Sequence, residues 1–230
     1  MEPATYTQLV EDRGFAVMPQ TFKEDRIALL AKDLAAANLR RSRAGVRHAL
    51  GYPAVASLAN DPQVLEIARS ILGAGAYPFR ATVFDKNTDA NWLVVWHQDT
   101  ALPLRLRRET PGWGPWSVKE GVIYAHAPAS ALSQVLALRL HLDDSTPQNG
   151  PLRVLPATHK LGVLSDDAIH QLAQEIAAVE CYVPRGGIVA MKPLVVHSSS
   201  KSHSESARRV LHIEYASKIA IAGDLQLAVI

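Results

Sequence analysis

A single cysteine, Cys181, is present in 230 residues. One thiol closes no internal disulfide and builds no multi-thiolate metal site, and it suits a reducing compartment. Long apolar runs are also missing, since none reaches the roughly 18 residues that a membrane-crossing helix needs. The opening Met1-Glu2-Pro3-Ala4-Thr5 has no basic segment leading into an apolar one, so nothing there marks the chain for export and a cytoplasmic address is the default expectation. There is no charge excess either: 24 Lys and Arg against 22 Asp and Glu leave a formal +2. That balance argues against a nucleic-acid or membrane-surface partner and for a small molecule. Internal repeats, low-complexity segments and a His-Glu-x-x-His zinc-protease signature are all absent.

What is present suffices for one sizeable core and is too short to argue for two. The expectation is one domain over 1–230, with a helix-rich part at 1–76 and a β-rich core at about 77–217; monomer and homodimer both stay open. Thr21 to Asn38 carries Ile27, Leu29, Leu30 and Leu34 at helical spacing behind Thr21 as a cap. A second helix is predicted from Pro62 to Ile71 with Asp61 as its cap, and a third from Asp166 to Ala178. From Tyr77 onward short Val-, Leu- and aromatic-rich runs alternate with Asp, Asn, Gly and Pro clusters. These predict strands at Phe79–Phe84, Trp92–His97, Gln134–Leu142, Leu152–Leu155, Ala178–Val183, Ile188–Met191, Leu194–His197 and Arg209–Ala216. Eight short strands in this span predict two facing antiparallel sheets, a jelly roll with flanking helices.

Within Trp96-His97-Gln98-Asp99, strand alternation puts His97 and Asp99 on one side and Gln98 on the other. The same alternation assigns Leu93 and Val95 to the side of His97, with Trp92, Val94 and Trp96 behind. His-x-Asp alone is a weak signal, and it needs a third ligand. His197, ending the run Met191-Lys192-Pro193-Leu194-Val195-Val196-His197, supplies one. Two imidazoles and one carboxylate leave about three coordination positions open, the arrangement of non-haem Fe(II) oxygenases. The polar segment Ser198 to Ala207 then leads into the strand-like Arg208-Arg209-Val210-Leu211-His212-Ile213-Glu214-Tyr215, which predicts a hairpin. An arginine just past that loop lies within reach of the metal face, where its guanidinium can fork onto the far carboxylate of a dicarboxylic acid chelating the iron.

These residues resemble the phytanoyl-CoA dioxygenase family of 2-oxoglutarate-dependent oxygenases. The resemblance runs from about Thr82 to Ala216 and is carried by Trp96-His97-Gln98-Asp99, Asn149-Gly150-Pro151-Leu152-Arg153-Val154-Leu155-Pro156-Ala157-Thr158-His159, Pro193-Leu194-Val195-Val196-His197-Ser198-Ser199 and Arg208-Arg209. It implies a double-stranded β-helix, the cupin-like form of the jelly roll. It also implies Fe(II) held by His97, Asp99 and His197, with 2-oxoglutarate and O2 as co-substrates. Arg208 is then the anchor for the far carboxylate, Ser199 its hydroxyl partner, Thr82 a cofactor-lining residue, and Gln98 is counted with the residues around the cofactor. Arg208 is preferred to Arg209 by the family's spacing from the second histidine, and because only one of two neighbours can face inward. The implied reaction oxidises an unactivated C–H bond of a small organic molecule, typically to an alcohol, and releases succinate and CO2. Related halogenases carry a small residue where this chain has Asp99, so its carboxylate argues for hydroxylation.

Arg139 departs from relatives that place an aromatic residue there. In Ala137-Leu138-Arg139-Leu140-His141-Leu142 the leucines want the core, which turns Arg139 and His141 toward the pocket, where Arg139 can meet an acidic group of substrate or co-substrate. Trp113-Gly114-Pro115-Trp116-Ser117-Val118-Lys119 reads equally as a lid placing Trp116 on substrate or as a rigid loop whose tryptophans fill the core edge. His126, His141 and His212 read first as satisfied barrel histidines, and His48 and His203 as surface residues. Leu39 to Arg47 is the one basic cluster, a solvated face by default, with Arg43 or Arg47 as an anion contact over the site mouth in the sharper reading. Two alternative functions stand: a metal-dependent lyase or isomerase on the same barrel, and a non-catalytic metal-binding module.

Overall fold

The computed structural model describes residues 3–37, 39, 45–87 and 90–230. Met1 and Glu2, on which part of the leader reading rests, Asn38 at the end of the first expected helix, and Arg40, Arg41, Ser42, Arg43 and Ala44 of the basic cluster lie outside them. In chain order the helices are α1 Pro3–Arg13, α2 Glu24–Ala36, α3 Pro53–Ala59, α4 Pro62–Leu72, α5 Ala129–Leu132 and α6 Asp166–Glu175. The strands are β1 Phe15–Met18, β2 Tyr77–Lys86, β3 Val94–His97, β4 Ala101–Leu104, β5 Trp116–Lys119, β6 Val122–His126, β7 Val135–His141, β8 Leu152–Val154, β9 Val179–Cys181, β10 Ile188–Met191, β11 His197–Ser199, β12 Arg208–Ala216, β13 Ala220–Ala222 and β14 Leu225–Gln226. No described helix is long and apolar enough to cross a membrane.

Two antiparallel sheets form the double-stranded β-helix: a major sheet in the order β1-β10-β7-β12-β2 and a minor sheet in the order β3-β11-β8-β9. Phe15, Ala137, Val189 and Met191 of the major sheet pack with Leu152, Val154 and Cys181 of the minor sheet, closing one end of the sandwich with apolar contacts. The outer face of the major sheet, with Ala81, Val83, Leu138, Leu140, Leu211 and Ile213, is covered by the helices through Ile27, Leu30, Leu34, Val55, Leu58 and Val64. Ile27, Leu30, Ala31 and Leu34 give α2 the i, i+3, i+4, i+7 stripe that a one-sided helix buries, while Leu29 points outward. Asp61 caps α4 by accepting from the Gln63 amide at 2.9 Å. Thr21 is not a cap; its hydroxyl donates to the Met18 carbonyl and α2 begins at Glu24.

Three features depart from the sequence reading for identifiable reasons. The helix-rich first part contributes a strand, β1, which pairs with β10 and extends the major sheet. Four residues are too few for a periodic signal, and pairing is decided by the edge they meet. A third sheet, β4-β6-β5, caps one end of the barrel around Leu102, Leu104, Trp113 and Ala125. Finally, β11 and β12 are not a hairpin: β11 pairs with β3 and β8, and β12 with β2 and β7. The polar segment from Ser200 to Ala207 therefore crosses from one sheet to the other, and the strand expected at Leu194–His197 begins only at His197.

Gly150 sits at φ +67°, and a Cβ there would stand 2.3 Å from the Ser200 carbonyl oxygen. Its own carbonyl accepts the Ser199 hydroxyl at 2.8 Å. Gly150→Ala is expected to lower stability by at least the 1–2 kcal/mol that a left-handed backbone costs a residue with a Cβ, roughly estimated; a urea titration matching wild type would contradict this account.

Candidate metal centre and its cavity

Between the sheets opens a cavity of about 250 Å³ whose walls include Arg80, Thr82, Phe84 and Lys86 from β2, Arg208, His212 and Glu214 from β12, and Arg139 from β7. Alternation on paired strands explains the set. Register places Lys86 beside Arg208, Thr82 beside His212 and Arg80 beside Glu214, and it places Arg139 beside His212 on the other side. The inward faces of three neighbouring strands thus stack polar side chains in rows, while their outward faces supply the apolar layer under the helices.

The opposite wall carries the metal constellation. The register pairs His197 with His97 across β11 and β3, and the pairing then shifts so that Ser199 faces Val94. One residue on β11 spans two on β3, a bulge that interrupts alternation. Val94 and Trp92 therefore face the cavity with His97, whereas Leu93 and Val95 are exposed and Trp96 packs outward near Leu155, Ile169 and Val196. This reverses the assignment made from unbroken alternation for Trp92, Leu93, Val94 and Val95, while Trp96 packs behind as expected.

His97, Asp99 and His197 each offer a ligand atom, and these atoms lie within 4.8 Å of one another. His97 Nε2 stands 3.5 Å from Asp99 Oδ1, and His197 Nε2 stands 3.6 Å from Asp99 Oδ2. In both imidazoles Nδ1 lies 2.9 Å from a carbonyl oxygen two residues back, Val95 for His97 and Val195 for His197. A carbonyl can only accept, so each Nδ1 carries hydrogen and each Nε2 is the nitrogen turned toward Asp99 and left to serve a metal. Burial would raise the Asp99 carboxyl, but His197 and His97 outweigh it and hold it well below the usual range. Burial pushes His197 down to about 4. Burial would lower His97 as well, but the Asp99 carboxylate beside it raises it, so a borderline divalent cation taking this imidazole–carboxylate–imidazole donor set would displace a proton from His97.

Along β11 from the ligands, Ser199 Oγ accepts from Lys86 Nζ at 2.9 Å and from Arg208 Nη2 at 3.3 Å. Lys86 Nζ also donates to the Ser200 carbonyl and Arg208 Nε to the Asn149 carbonyl, whereas Arg208 Nη1 is buried without a partner. Burial, with Arg208 and Arg139 nearby, lowers Lys86 to about 8; burial and Arg139 lower Arg208 to about 10. Arg209 faces the other way and forks onto Asp143 at 2.7 and 2.8 Å. At the other end Arg80 clamps Glu214 with two nitrogens and donates to the Ala101 carbonyl. The antiparallel bridge of Val46 to Val83 carries Arg47 and His48 to the rim, where Arg47 pairs with Glu120 and His48 Nε2 lies 3.3 Å from the Tyr124 hydroxyl.

Several expected positions fall elsewhere. Gln98 is turned from the cavity and ties loops together, donating to the Gly162 and Leu194 carbonyls and accepting from the Leu164 amide. His141 shares the inward face of β7 but is fully covered and does not line the cavity. Trp116 packs against the cluster around Trp113, under the Arg107 guanidinium, so this segment follows the core-edge account and not the lid. His48 is a rim residue, not a remote surface one, and His212 lies in the cavity wall. Arg80, Lys86 and Glu214 went unread, yet parity with Thr82 on one strand and with Arg208 on the other marks all three.

A family model described as phytanoyl-CoA dioxygenase (PhyH) matches residues 10–210. The chain belongs to the phytanoyl-CoA dioxygenase family. It is 27% identical over 186 residues to the L-proline trans-4-hydroxylase of Streptomyces griseoviridis, a match covering 70% of this chain and 62% of that enzyme. Among solved structures, AviO1 from Streptomyces viridochromogenes Tue57 superposes with a TM-score of 0.68 at 22% identity, covering 94% of this chain and 95% of that one. EctD from S. alaskensis with 2-oxoglutarate and 5-hydroxyectoine gives 0.71 at 18% identity, covering 93% and 75%. At those identities the structural likeness is one of fold.

Removing one partner of the Arg80 and Glu214 pair strands a charge in the cavity wall. Glu214→Ala is expected to cost about 3 kcal/mol, the lower end for a broken buried pair because Arg80 keeps some solvent contact. Chemical denaturation measures the loss, and a variant as stable as wild type would refute it.

Proposed function

We propose that this chain is an Fe(II)- and 2-oxoglutarate-dependent oxygenase that oxidises a C–H bond of a small organic molecule, with hydroxylation as the outcome and succinate and CO2 as by-products. One spatial relation carries the reading. His197 and Ser199 are two residues apart on β11, about 7 Å along an extended strand. That is the reach of a five-carbon dicarboxylate from a metal held at His197 to a buried guanidinium with one free nitrogen at Arg208. A lyase or isomerase that works without oxygen and without 2-oxoglutarate has no use for a distal clamp of this kind.

In this reading His97, Asp99 and His197 hold the metal through Nε2, a carboxylate oxygen and Nε2. Arg208 and Lys86 receive the far carboxylate of the co-substrate, and Ser199 keeps the two cations side by side as their shared acceptor. The Ser199 hydroxyl hydrogen is committed to Gly150, so the serine positions the clamp before it serves any ligand. Thr82 and Phe84 line the wall beside it. Iron and 2-oxoglutarate, when bound, would activate O2, the oxidant, with two of its four electrons coming from decarboxylation of 2-oxoglutarate and two from the substrate C–H bond. The chain contributes orientation, a fixed pair of imidazole tautomers and a cavity that excludes water. The substrate belongs at the other end of the cavity, toward Arg80, Tyr124, His48 and Lys119.

Anaerobic addition of 2-oxoglutarate to the Fe(II)-loaded protein is expected to raise a weak visible metal-to-ligand charge-transfer band. His197→Ala should abolish it, and no band from wild type would overturn the reading. Arg208→Ala should weaken 2-oxoglutarate binding by about tenfold or more while sparing Fe(II), the worth of a buried charge-assisted bond; Arg209→Ala should not.

Lys86 gives a pH test. Its ammonium is fully charged below about 8 and is lost as pH rises through that value, so co-substrate affinity should fall above pH 8 as binding comes to require proton uptake. Lys86→Met should bind weakly at all pH values with this fall removed. An identical fall in the variant would assign the titration to another group.

A further inference from the structure

We infer that Arg139, held by His212 on the wall facing the metal constellation, is a second carboxylate seat, and that it takes the near carboxylate of the co-substrate, the one beside its 2-oxo group. The inference rests on the oxygenase reading above and adds to it a residue which that reading leaves without a role.

Arg139 is 8% exposed and lines the cavity. Its Nη1 donates to His212 Nδ1 at 3.0 Å, its guanidinium lies over the Phe84 ring at 5.4 Å, and its Nε is buried without a partner. It makes no ion pair among the described residues, whereas Arg80 has Glu214 and Arg209 has Asp143. His212 is no substitute for an anion: burial and Arg139 itself hold it well below the ordinary imidazole value, so it is neutral and accepts one hydrogen bond. Asp99 and Glu214 act on the Arg139 guanidinium only from a distance and do not offset its burial, which leaves its pKa lowered, and that cost is relieved when an anion arrives in direct contact.

Position selects which anion. Arg139 is in register with His212, which lies four residues along β12 from Arg208, and it leans over Phe84, the wall residue between Thr82 and Lys86. Its charge acts on His97 and His197 at one end and on Lys86 and Arg208 at the other. It therefore overlooks the path from the metal to the distal clamp. The far carboxylate already has Lys86 and Arg208. The remaining acid group on that path is the one that chelates the metal, and Arg139 supplies its outward-facing hydrogen bonds.

The test titrates Fe(II)-loaded protein anaerobically with 2-oxoglutarate and with pyruvate, a 2-oxo acid that lacks the far carboxylate, following the charge-transfer band. Arg139→Met is expected to weaken both acids by the same factor, about tenfold or more. Arg208→Met should weaken 2-oxoglutarate alone. Arg139→Lys, which keeps the charge and loses the fork, should show a smaller equal loss, and it provides a readable protein should the methionine variant fail to fold. Fe(II) affinity without a 2-oxo acid should not fall in any of the three, since taking a cation away from the ligand set does not disfavour a divalent ion. Pyruvate binding as tight in the Arg139 variants as in wild type would overturn the seat and assign the guanidinium to a substrate acid or to packing. Wild-type protein that binds neither acid would overturn the seat together with the oxygenase reading.

Discussion

The backbone pairing of His197 with His97 sets the geometry on which the rest of the site depends. Two strands from distant parts of the chain meet at that pair, and each histidine is then tied through Nδ1 to a carbonyl of its own strand. The imidazoles need no outside carboxylate to fix their tautomers. Asp99 completes the set because it follows His97 by two residues and its amide is anchored to the Pro193 carbonyl on the approach to β11. The bulge just before His97 gives this pairing its cost and its use: it breaks the pleat so that Val94 and His97 both face inward and Trp96 is free to hold α6.

Across the cavity the major sheet supplies charge in rows. Arg208 with Lys86, Arg139 with His212, and Arg80 with Glu214 occupy three inward levels of β12 and its neighbours, the first two separated by the level of Val210 and Phe84. Of the arginines in these rows, Arg80 is answered by a protein carboxylate. Arg139, Arg208 and Lys86 make no ion pair among the described residues and face the cavity, an arrangement that costs the fold stability.

How far the sequence carried depended on whether period-two alternation held. On β7 and β12 it held: the leucines of β7 go to the helical layer, Arg139 faces the cavity, and Arg208 is separated from Arg209 by parity alone. The same rule applied to β2 would have added Arg80 and Lys86 to Thr82. On β3 it failed, because a bulge is set by the partner strand's register and leaves no mark in local composition. The connection after His197 looked like a hairpin since turn residues flank two strand-like runs. Such a signal says that the chain reverses, not which sheet it joins. β1 escaped notice for a similar reason, its four residues being recruited by the edge of β10. Arg47, inside a cluster read mainly as solvated surface, reaches the rim through the bridge of Val46 to Val83, a long-range contact that local patterning does not encode.

The tethering of both imidazoles to their own backbone has a corollary. Coordination geometry here is inherited from strand pairing in the minor sheet, while the groups that choose among ligands stand on the major sheet and the rim loops. The two walls are separate in strand but not in charge, because Arg139 on the major sheet acts on both histidines of the minor sheet.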